Sequence, residues 1–268
     1  MFLTRTISGA VLVAIIVAMG ILGGYPLFAF TLLISLIGMY EFYRVFKIEK
    51  TALGIVGYLA AILYYADVLL KFIPAKETMM IFLGFFIVLM FILVFSYPKY
   101  EATKVMAAFF GVFYVAVMLS YIFKLREMHH GVYLVFLIYL CAWGSDTCAY
   151  LAGRAFGKHK MAPELSPKKT IEGAVGGVIG AALLTAIYCL IFRHQMHLLP
   201  MQICILVAIA AIGALVSMVG DLCASAIKRF YDIKDYGKLI PGHGGIMDRF
   251  DSIIITAPII YYLAFLFV

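Results

Sequence analysis

Three neighbouring stretches decide the fold: PMQICILVAIAAIGALVSMVG at 200–220, SAIKRFYDIKDYGKLIPGHGGIMDRFD at 225–251, and SIIITAPIIYYLAFLFV at 252–268. The first and third stretches are almost wholly apolar, whereas the middle one is rich in charge and glycine. An apolar helix of roughly 20 residues crosses the hydrocarbon core of a bilayer, which is about 30 Å thick. The pattern therefore predicts two membrane-spanning helices joined by a polar segment at the membrane surface.

The rest of the chain has the same apolar character. Hydrophobic residues make up 65% of the 268 residues and charged residues only 13%, a composition that excludes a soluble globular domain of this size. We predict an all-α polytopic membrane protein with about nine transmembrane helices and a polar cavity that faces the cytoplasm. The apolar runs lie at 7–24, 27–40, 52–70, 78–96, 103–123, 132–152, 174–192, 200–220 and 252–268.

Polar residues are distributed unevenly along the chain. Residues 1–130 carry short loops and scattered charges, whereas residues 131–268 contain two long polar loops. We therefore predict one integral membrane domain, with N-terminal transmembrane helices over 1–130. The helices and cytoplasmic loops that carry the chemistry are expected over 131–268.

The lysine and arginine residues predict the orientation. With a cytoplasmic N-terminus, sixteen of them fall in cytoplasmic segments and five on the opposite side. Cytoplasmic loops of membrane proteins carry an excess of positive charge. The count therefore predicts that the N-terminus and both long polar loops face the cytoplasm.

The segment around 225–251 combines the groups that phosphate chemistry needs. Its basic side chains suit phosphate oxygens, and its glycines allow backbone N–H groups to approach an anion. Its carboxylates suit a hard cation, for which we expect Mg²⁺. The predicted metal ligands are Asp221, Asp248 and Asp251. The alternative is that these acids only pair with Lys228, Arg229 and Arg249.

A second group of polar residues lies between 146 and 172. Asp146 falls in the middle of an apolar run, where a carboxylate is costly and usually faces a polar cavity. Lys168 and Lys169 are either ordinary interfacial lysines or phosphate ligands. The second reading is favoured by Thr170 and Glu172, because they are expected to cap the following helix and so place its positive end beside the same anion.

Several of these positions together resemble the signature of a known family. Ser225, Lys228-Arg229, Lys234-Asp235, Gly237, Pro241, His243-Gly244-Gly245 and Asp248-Arg249-Phe250-Asp251 are similar to the C-terminal signature of phosphatidate cytidylyltransferases, the CDP-diacylglycerol synthases. The stretches GSD at 144–146, GRAFGK at 153–158 and SPKKTIEG at 166–173 also resemble that family. The resemblance covers roughly residues 141–251, and the N-terminal half matches only in hydropathy.

The resemblance implies an activity and a set of site residues. The expected reaction joins CTP and phosphatidic acid into CDP-diacylglycerol and pyrophosphate, with Mg²⁺ and, as an open alternative, a second cation. The expected partners are these two substrates and the lipid bilayer, without nucleic acid, and the expected location is a bacterial inner membrane. The implied catalytic residues are Asp146, Lys168, Lys169, Lys228, Arg229, His243 and Arg249. Further ligand-binding positions are Ser166, Thr170, Glu172, Ser225, Gly244 and Gly245.

The sequence is compatible with several alternatives. His243 could contact phosphate or act as a base, and the chain could act alone or as a homodimer. A CTP-dependent lipid-alcohol kinase would use similar charged groups but would also need a base for the hydroxyl. A transporter of an anionic solute would explain an acid within a span, but it would be expected to show a repeated half. No such repeat is visible in the sequence.

Overall fold

The computed structural model describes residues 2–74 and 77–267, with side chains described from residue 6. Helices dominate the described chain, and the prediction of an all-α membrane protein is confirmed. The helices are α1 (Phe2–Leu22), α2 (Gly24–Val45), α3 (Ala52–Leu70), α4 (Met79–Phe95), α5 (Ala102–Gly111), α6 (Met118–Arg126), α7 (Gly131–Tyr139), α8 (Ser145–Phe156), α9 (Ile171–Ile191), α10 (Pro200–Phe230) and α11 (Met247–Phe267). Two π-helical segments, Val112–Val117 and Leu140–Gly144, join α5 to α6 and α7 to α8 without a break.

Within the described residues, seven helical stretches are long and apolar enough to cross a membrane. Two further apolar helices, Thr6–Leu22 and Met79–Phe95, are shorter. The chain is therefore an integral membrane protein, while the count of nine spans stays a prediction. The only strands in the described chain, β1 (Lys160–Ala162) and β2 (Ser166–Thr170), form an antiparallel hairpin between α8 and α9.

The chain forms two compact units that interleave along the sequence. The first unit comprises Met1–Ile15, Gly24–Ser120 and Asp235–Arg249. The second unit comprises Ile16–Gly23, Tyr121–Lys234 and Phe250–Val268. The segment 235–249 thus packs with the N-terminal helices, which the sequence alone did not indicate.

Aromatic residues and glycines build the core of the first unit. Tyr43 is fully buried, and its hydroxyl donates a hydrogen bond to the Ala108 carbonyl at 2.6 Å. Gly57 and Gly111 lie against the Tyr43 ring, where any Cβ atom would collide with it. Because these two positions lack a side chain, α2 can pack closely against α3 and α5.

Glycines of α9 have the same role in the second unit. A Cβ atom on Gly176 would collide with Ala152 of α8, and one on Gly180 would collide with Cys148. The lack of side chains at these two positions therefore lets α8 and α9 approach closely. It also explains how Cys148 is accommodated, since Gly180 leaves room for its side chain.

Candidate active site

A cavity of about 360 Å³ lies within the second unit. It brings together five of the residues predicted from the sequence, from α8, β2 and α10. They are Asp146, Lys168, Lys169, Thr170 and Asp221. The remaining walls combine apolar and polar groups, from Ala149, Tyr150, Gly153, Arg154, Met161, Gly173, Ala174 and Met218. A cavity with apolar walls and a few converging charges suits a ligand that has both a charged and an apolar part.

Opposite charges meet inside this cavity. Lys169 Nζ lies 2.6 Å from Asp221 Oδ2, and both side chains are about one quarter exposed. Lys169 comes from strand β2. Asp221 comes from the end of α10 that is predicted to face the cytoplasm. The pair links two segments that are more than fifty residues apart in sequence, and the Lys169 Nζ atom itself is buried.

The cavity also contains a helix N-terminus. Thr170 caps α9, because its hydroxyl accepts a hydrogen bond from the Gly173 N–H at 3.1 Å. Glu172 binds the loop before β1 instead, where it accepts from the Lys158 N–H at 3.1 Å and contacts His159 Nδ1 at 2.6 Å. The cap of Thr170 is as predicted. The positive end of the helix dipole thus lies beside Lys168 and Lys169, an arrangement that favours anions.

A π-helical segment precedes Asp146 in the same span. Residues Leu140–Gly144 form wider turns directly before α8, and Asp146 lies in its first turn. Such insertions are frequent at functional sites. No sequence pattern indicates this insertion, because the segment has the same apolar composition as the helix around it.

Asp251 lies close to this group of carboxylates. It is 8% exposed, and its Oδ1 accepts a hydrogen bond from the Ser252 N–H at 2.8 Å. Its charge interacts with those of Asp221, Asp146 and Lys228. A close helix crossing makes this approach feasible, since a Cβ atom on Gly220 would lie only 2.9 Å from the Asp251 carbonyl oxygen. A side chain at residue 220 would push α10 away from α11.

The donor chemistry of these acids fits a hard divalent cation. Carboxylate oxygens are the ligands that Mg²⁺ prefers, and several neighbouring acids are more stable with a cation between them. Among the described residues, however, no three acidic, histidine or cysteine side chains already stand in a metal-binding arrangement. Metal binding by Asp221, Asp248 and Asp251 therefore stays a prediction.

Asp248 belongs to the first unit, where it organises the segment 235–247. Its Oδ2 atom accepts hydrogen bonds from the N–H groups of Tyr236 at 2.8 Å, Gly245 at 3.0 Å and Gly237 at 3.3 Å. Gly244 has φ +86°, which favours glycine. A Cβ there would also lie 2.8 Å from Asp248 Oδ2. The glycines of the signature therefore allow its backbone to wrap around one carboxylate.

His243 lies in the same segment and contacts α1. The Ser8 hydroxyl donates to the Pro241 carbonyl at 3.0 Å, and Ser8 Oγ lies 2.8 Å from His243 Nδ1. Since a hydroxyl has one proton to donate, the second contact requires Nδ1–H of the ring to be the donor. In a neutral ring, the Nε2 atom is then left as the acceptor.

Glu41 and Arg44 of α2 are two further polar residues of the first unit, outside the predicted site residues. Glu41 Oε2 accepts a hydrogen bond from the Met247 N–H at 2.9 Å, and the Arg44 guanidinium donates to the Tyr236 carbonyl. The available signal was a carboxylate at the end of an apolar run.

The other predicted residues include side chains on α10, β2 and α11. Ser225 lies one helical turn after Asp221, with its Oγ 3.4 Å from Asp221 Oδ1. Lys228 and Arg229 lie in the last turn of α10, Ser166 begins β2, and Arg249 lies in the first turn of α11. The predicted residues are thus divided between the units. His243, Gly244, Gly245, Asp248 and Arg249 belong to the first unit and the others to the second.

Comparison with known proteins gives consistent results. The chain is 31% identical over 270 residues to the phosphatidate cytidylyltransferase of Bacillus subtilis (strain 168), covering 98% of this chain and 97% of the relative. It is 32% identical over 269 residues to that of Staphylococcus haemolyticus (strain JCSC1435), covering 97% of both chains. It is also 34% identical over 184 residues to that of Haemophilus influenzae (strain ATCC 51907), covering 65% of this chain and 64% of the relative. The cytidylyltransferase family matches residues 3–267, and the chain therefore belongs to the cytidylyltransferase family.

Proposed function

We propose that the protein is a CTP:phosphatidate cytidylyltransferase that makes CDP-diacylglycerol and pyrophosphate. The observation that carries the proposal is the cavity of the second unit, which has lysines, carboxylates and a helix N-terminus between apolar walls. The relatives are phosphatidate cytidylyltransferases by name. One substrate is a polyanionic nucleotide and the other a lipid phosphate, so a site with both charged and apolar surfaces fits them.

The proposed reaction requires positioning more than proton transfer. A phosphate oxygen of phosphatidic acid attacks the α-phosphorus of CTP, forming a new P–O bond, while the bond from that phosphorus to the β-phosphate oxygen breaks. Pyrophosphate takes the electron pair of that bond. Because the nucleophile is already an ionised phosphate, catalysis depends on alignment and on neutralising charge in the transition state.

We assign the charged residues on this basis. Lys168 and Lys169, beside the N-terminus of α9, would bind phosphate oxygens. Lys228, Arg229 and Arg249 are further candidates for phosphate binding. Mg²⁺, when bound, would neutralise the triphosphate, and the predicted ligands are Asp221, Asp248 and Asp251. Asp146 would line the cavity or bind a second cation.

We further propose that the protein resides in the plasma membrane with its site open to the cytoplasm. The excess of positive charge on one side supports this orientation. To test it, a cysteine at Pro163, in the β1–β2 hairpin, is introduced into a variant that lacks the native cysteines. An impermeant thiol reagent should label it only from the cytoplasmic side, and labelling from outside would refute the orientation.

Isotope transfer tests the reaction itself. With phosphatidic acid as acceptor, label from α-phosphorus-labelled CTP should enter the lipid, and label from γ-labelled CTP should leave in pyrophosphate. A lipid-alcohol kinase would instead transfer the γ-label and release CDP. Exclusive γ-label transfer would therefore refute the proposed function without affecting the membrane architecture.

A further inference from the structure

We infer that Glu41 and Arg44 of α2 are positioning residues for the signature segment, which we define as residues 235–247. The inference rests on the proposed function, because it assigns a role within that reaction. It concerns helix α2, in the N-terminal half of the chain. Both residues lie in the first unit, as does the whole signature segment.

Glu41 is a buried charge with specific partners. Its side chain is 4% exposed, and its Oε2 accepts from the Met247 N–H at 2.9 Å. Burying a carboxylate is costly unless hydrogen bonds satisfy it. Backbone groups of the signature segment offset the free-energy cost of that burial. The buried position of Glu41 is therefore favourable only while this segment stays in place.

The carboxylate of Glu41 also explains two glycines of the signature. A Cβ atom on Gly237 or on Gly245 would collide with Glu41 oxygens. The backbone at both positions therefore lies directly against this side chain. Gly237 and Gly245 also donate to Asp248 Oδ2, at 3.3 Å and 3.0 Å, so Asp248 and Glu41 hold the same two positions.

Arg44 holds the beginning of the segment. It lies one helical turn after Glu41, and its guanidinium donates to the Tyr236 carbonyl. The N–H of Tyr236 donates to Asp248 Oδ2 at 2.8 Å. Both backbone polar groups of this residue are thus satisfied by charged side chains, and hydrogen bonds with a charged partner are stronger than neutral ones.

These contacts fix the part of the segment that would meet phosphate. His243 and Gly244 lie between the positions that Glu41, Arg44 and Asp248 hold, at 236–237 and 245–247. Backbone donors and side chains stabilise a transition state only if they are in place before the reaction. Glu41 and Arg44 therefore act through the segment, without themselves contacting substrate.

The test measures segment mobility and turnover in the full-length protein. A nitroxide is attached at residue 239 through Leu239→Cys, at a side chain that is 57% exposed, in a background without the five native cysteines. Glu41→Ala should sharpen the nitroxide spectrum, which reports faster motion, and should lower kcat at least tenfold with a smaller change in the KM for CTP. Glu41→Gln, which keeps the side-chain length and one acceptor oxygen, should partly restore the slower nitroxide motion and partly restore kcat.

Asp67→Asn is the matched control. Asp67 is also a buried acid of the first unit, but its carboxylate accepts from the Ile73 N–H at 3.0 Å and the Thr78 hydroxyl at 3.2 Å, away from the signature segment. This variant should lower the melting temperature while leaving the nitroxide spectrum and kcat unchanged. An equal loss of kcat in Asp67→Asn and Glu41→Ala would overturn the inference, since the effect would then be one of general stability.

Two further outcomes are decisive. An unchanged nitroxide spectrum in folded Glu41→Ala would overturn the inference whatever its kcat. If Glu41→Ala does not fold, Arg44→Gln, at an exposed residue, is measured in its place. This variant should show the same faster motion to a smaller extent. An unchanged spectrum in Arg44→Gln would overturn the inference. Absence of cytidylyl transfer in the unsubstituted protein would instead refute the proposed function, and the spectra would still decide the positioning role.

Discussion

The ammonium group of Lys169 lies 2.6 Å from the carboxylate of Asp221 inside the cavity of the second unit. The two residues are assigned to ligands of opposite charge, Lys169 to phosphate and Asp221 to Mg²⁺. Each group therefore neutralises the other in this structure. A magnesium-bound nucleotide would give each residue a new partner, because its phosphates can pair with Lys169 while its cation pairs with Asp221.

Asp221→Asn should tighten the binding of CTP in the absence of divalent metal. The substitution frees Lys169 and removes a charge that repels phosphate. We expect the Kd to fall about fivefold, since a partly exposed ion pair is worth up to about 1 kcal/mol. Calorimetry in the presence of a chelator measures this Kd. Asp67→Asn should leave it unchanged, and weaker binding to Asp221→Asn would contradict the exchange of partners.

Asp248→Asn should lower kcat by about a hundredfold, which corresponds to about 2.7 kcal/mol. The reason is that a neutral amide accepts the three backbone N–H groups less strongly and is a poorer metal ligand. Turnover at saturating magnesium measures the effect, and size-exclusion chromatography verifies that the variant is folded. Turnover close to that of the unsubstituted protein would show that neither role of Asp248 is required.

Gly176→Val should destabilise the protein by about 1–3 kcal/mol, the usual cost of overpacking. The new side chain would collide with Ala152 and force α8 from α9, which also displaces cavity residues on both helices. Thermal unfolding in detergent gives the change in stability. Gly84→Val is the control, because a Cβ atom on Gly84 meets nothing within 4 Å. Equal effects of both variants would show that helix propensity, and not packing, is responsible.

Ser8→Ala should reduce kcat by about fivefold, since one neutral hydrogen bond is worth about 1 kcal/mol. The substitution removes the acceptor of His243 Nδ1–H, so the ring loses both its orientation and its preferred tautomer. Nitrogen NMR of the labelled histidine detects the change in tautomer. Ser8→Thr keeps the hydroxyl and should preserve both turnover and tautomer. An unchanged spectrum in Ser8→Ala would contradict the tautomer assignment.

Much of the second unit's cavity could be predicted from the sequence. Lys168, Lys169 and Thr170 are adjacent, and the cap of Thr170 is a local interaction that four neighbouring residues decide. Asp146 was recognisable because a carboxylate is rare within a span. The pairing of Lys169 with Asp221 could not be predicted, because it depends on how β2 packs against α10.

The sequence by itself determined the membrane architecture and the type of chemistry, since both depend on composition and on short polar motifs. Only the tertiary structure decided which polar groups meet. Asp248 and Asp251 are three residues apart, yet they belong to different units. Glu41 lies about two hundred residues from the glycines that it contacts. Such pairings arise from helix packing and from the need to satisfy buried charges, and no local pattern of residues encodes them.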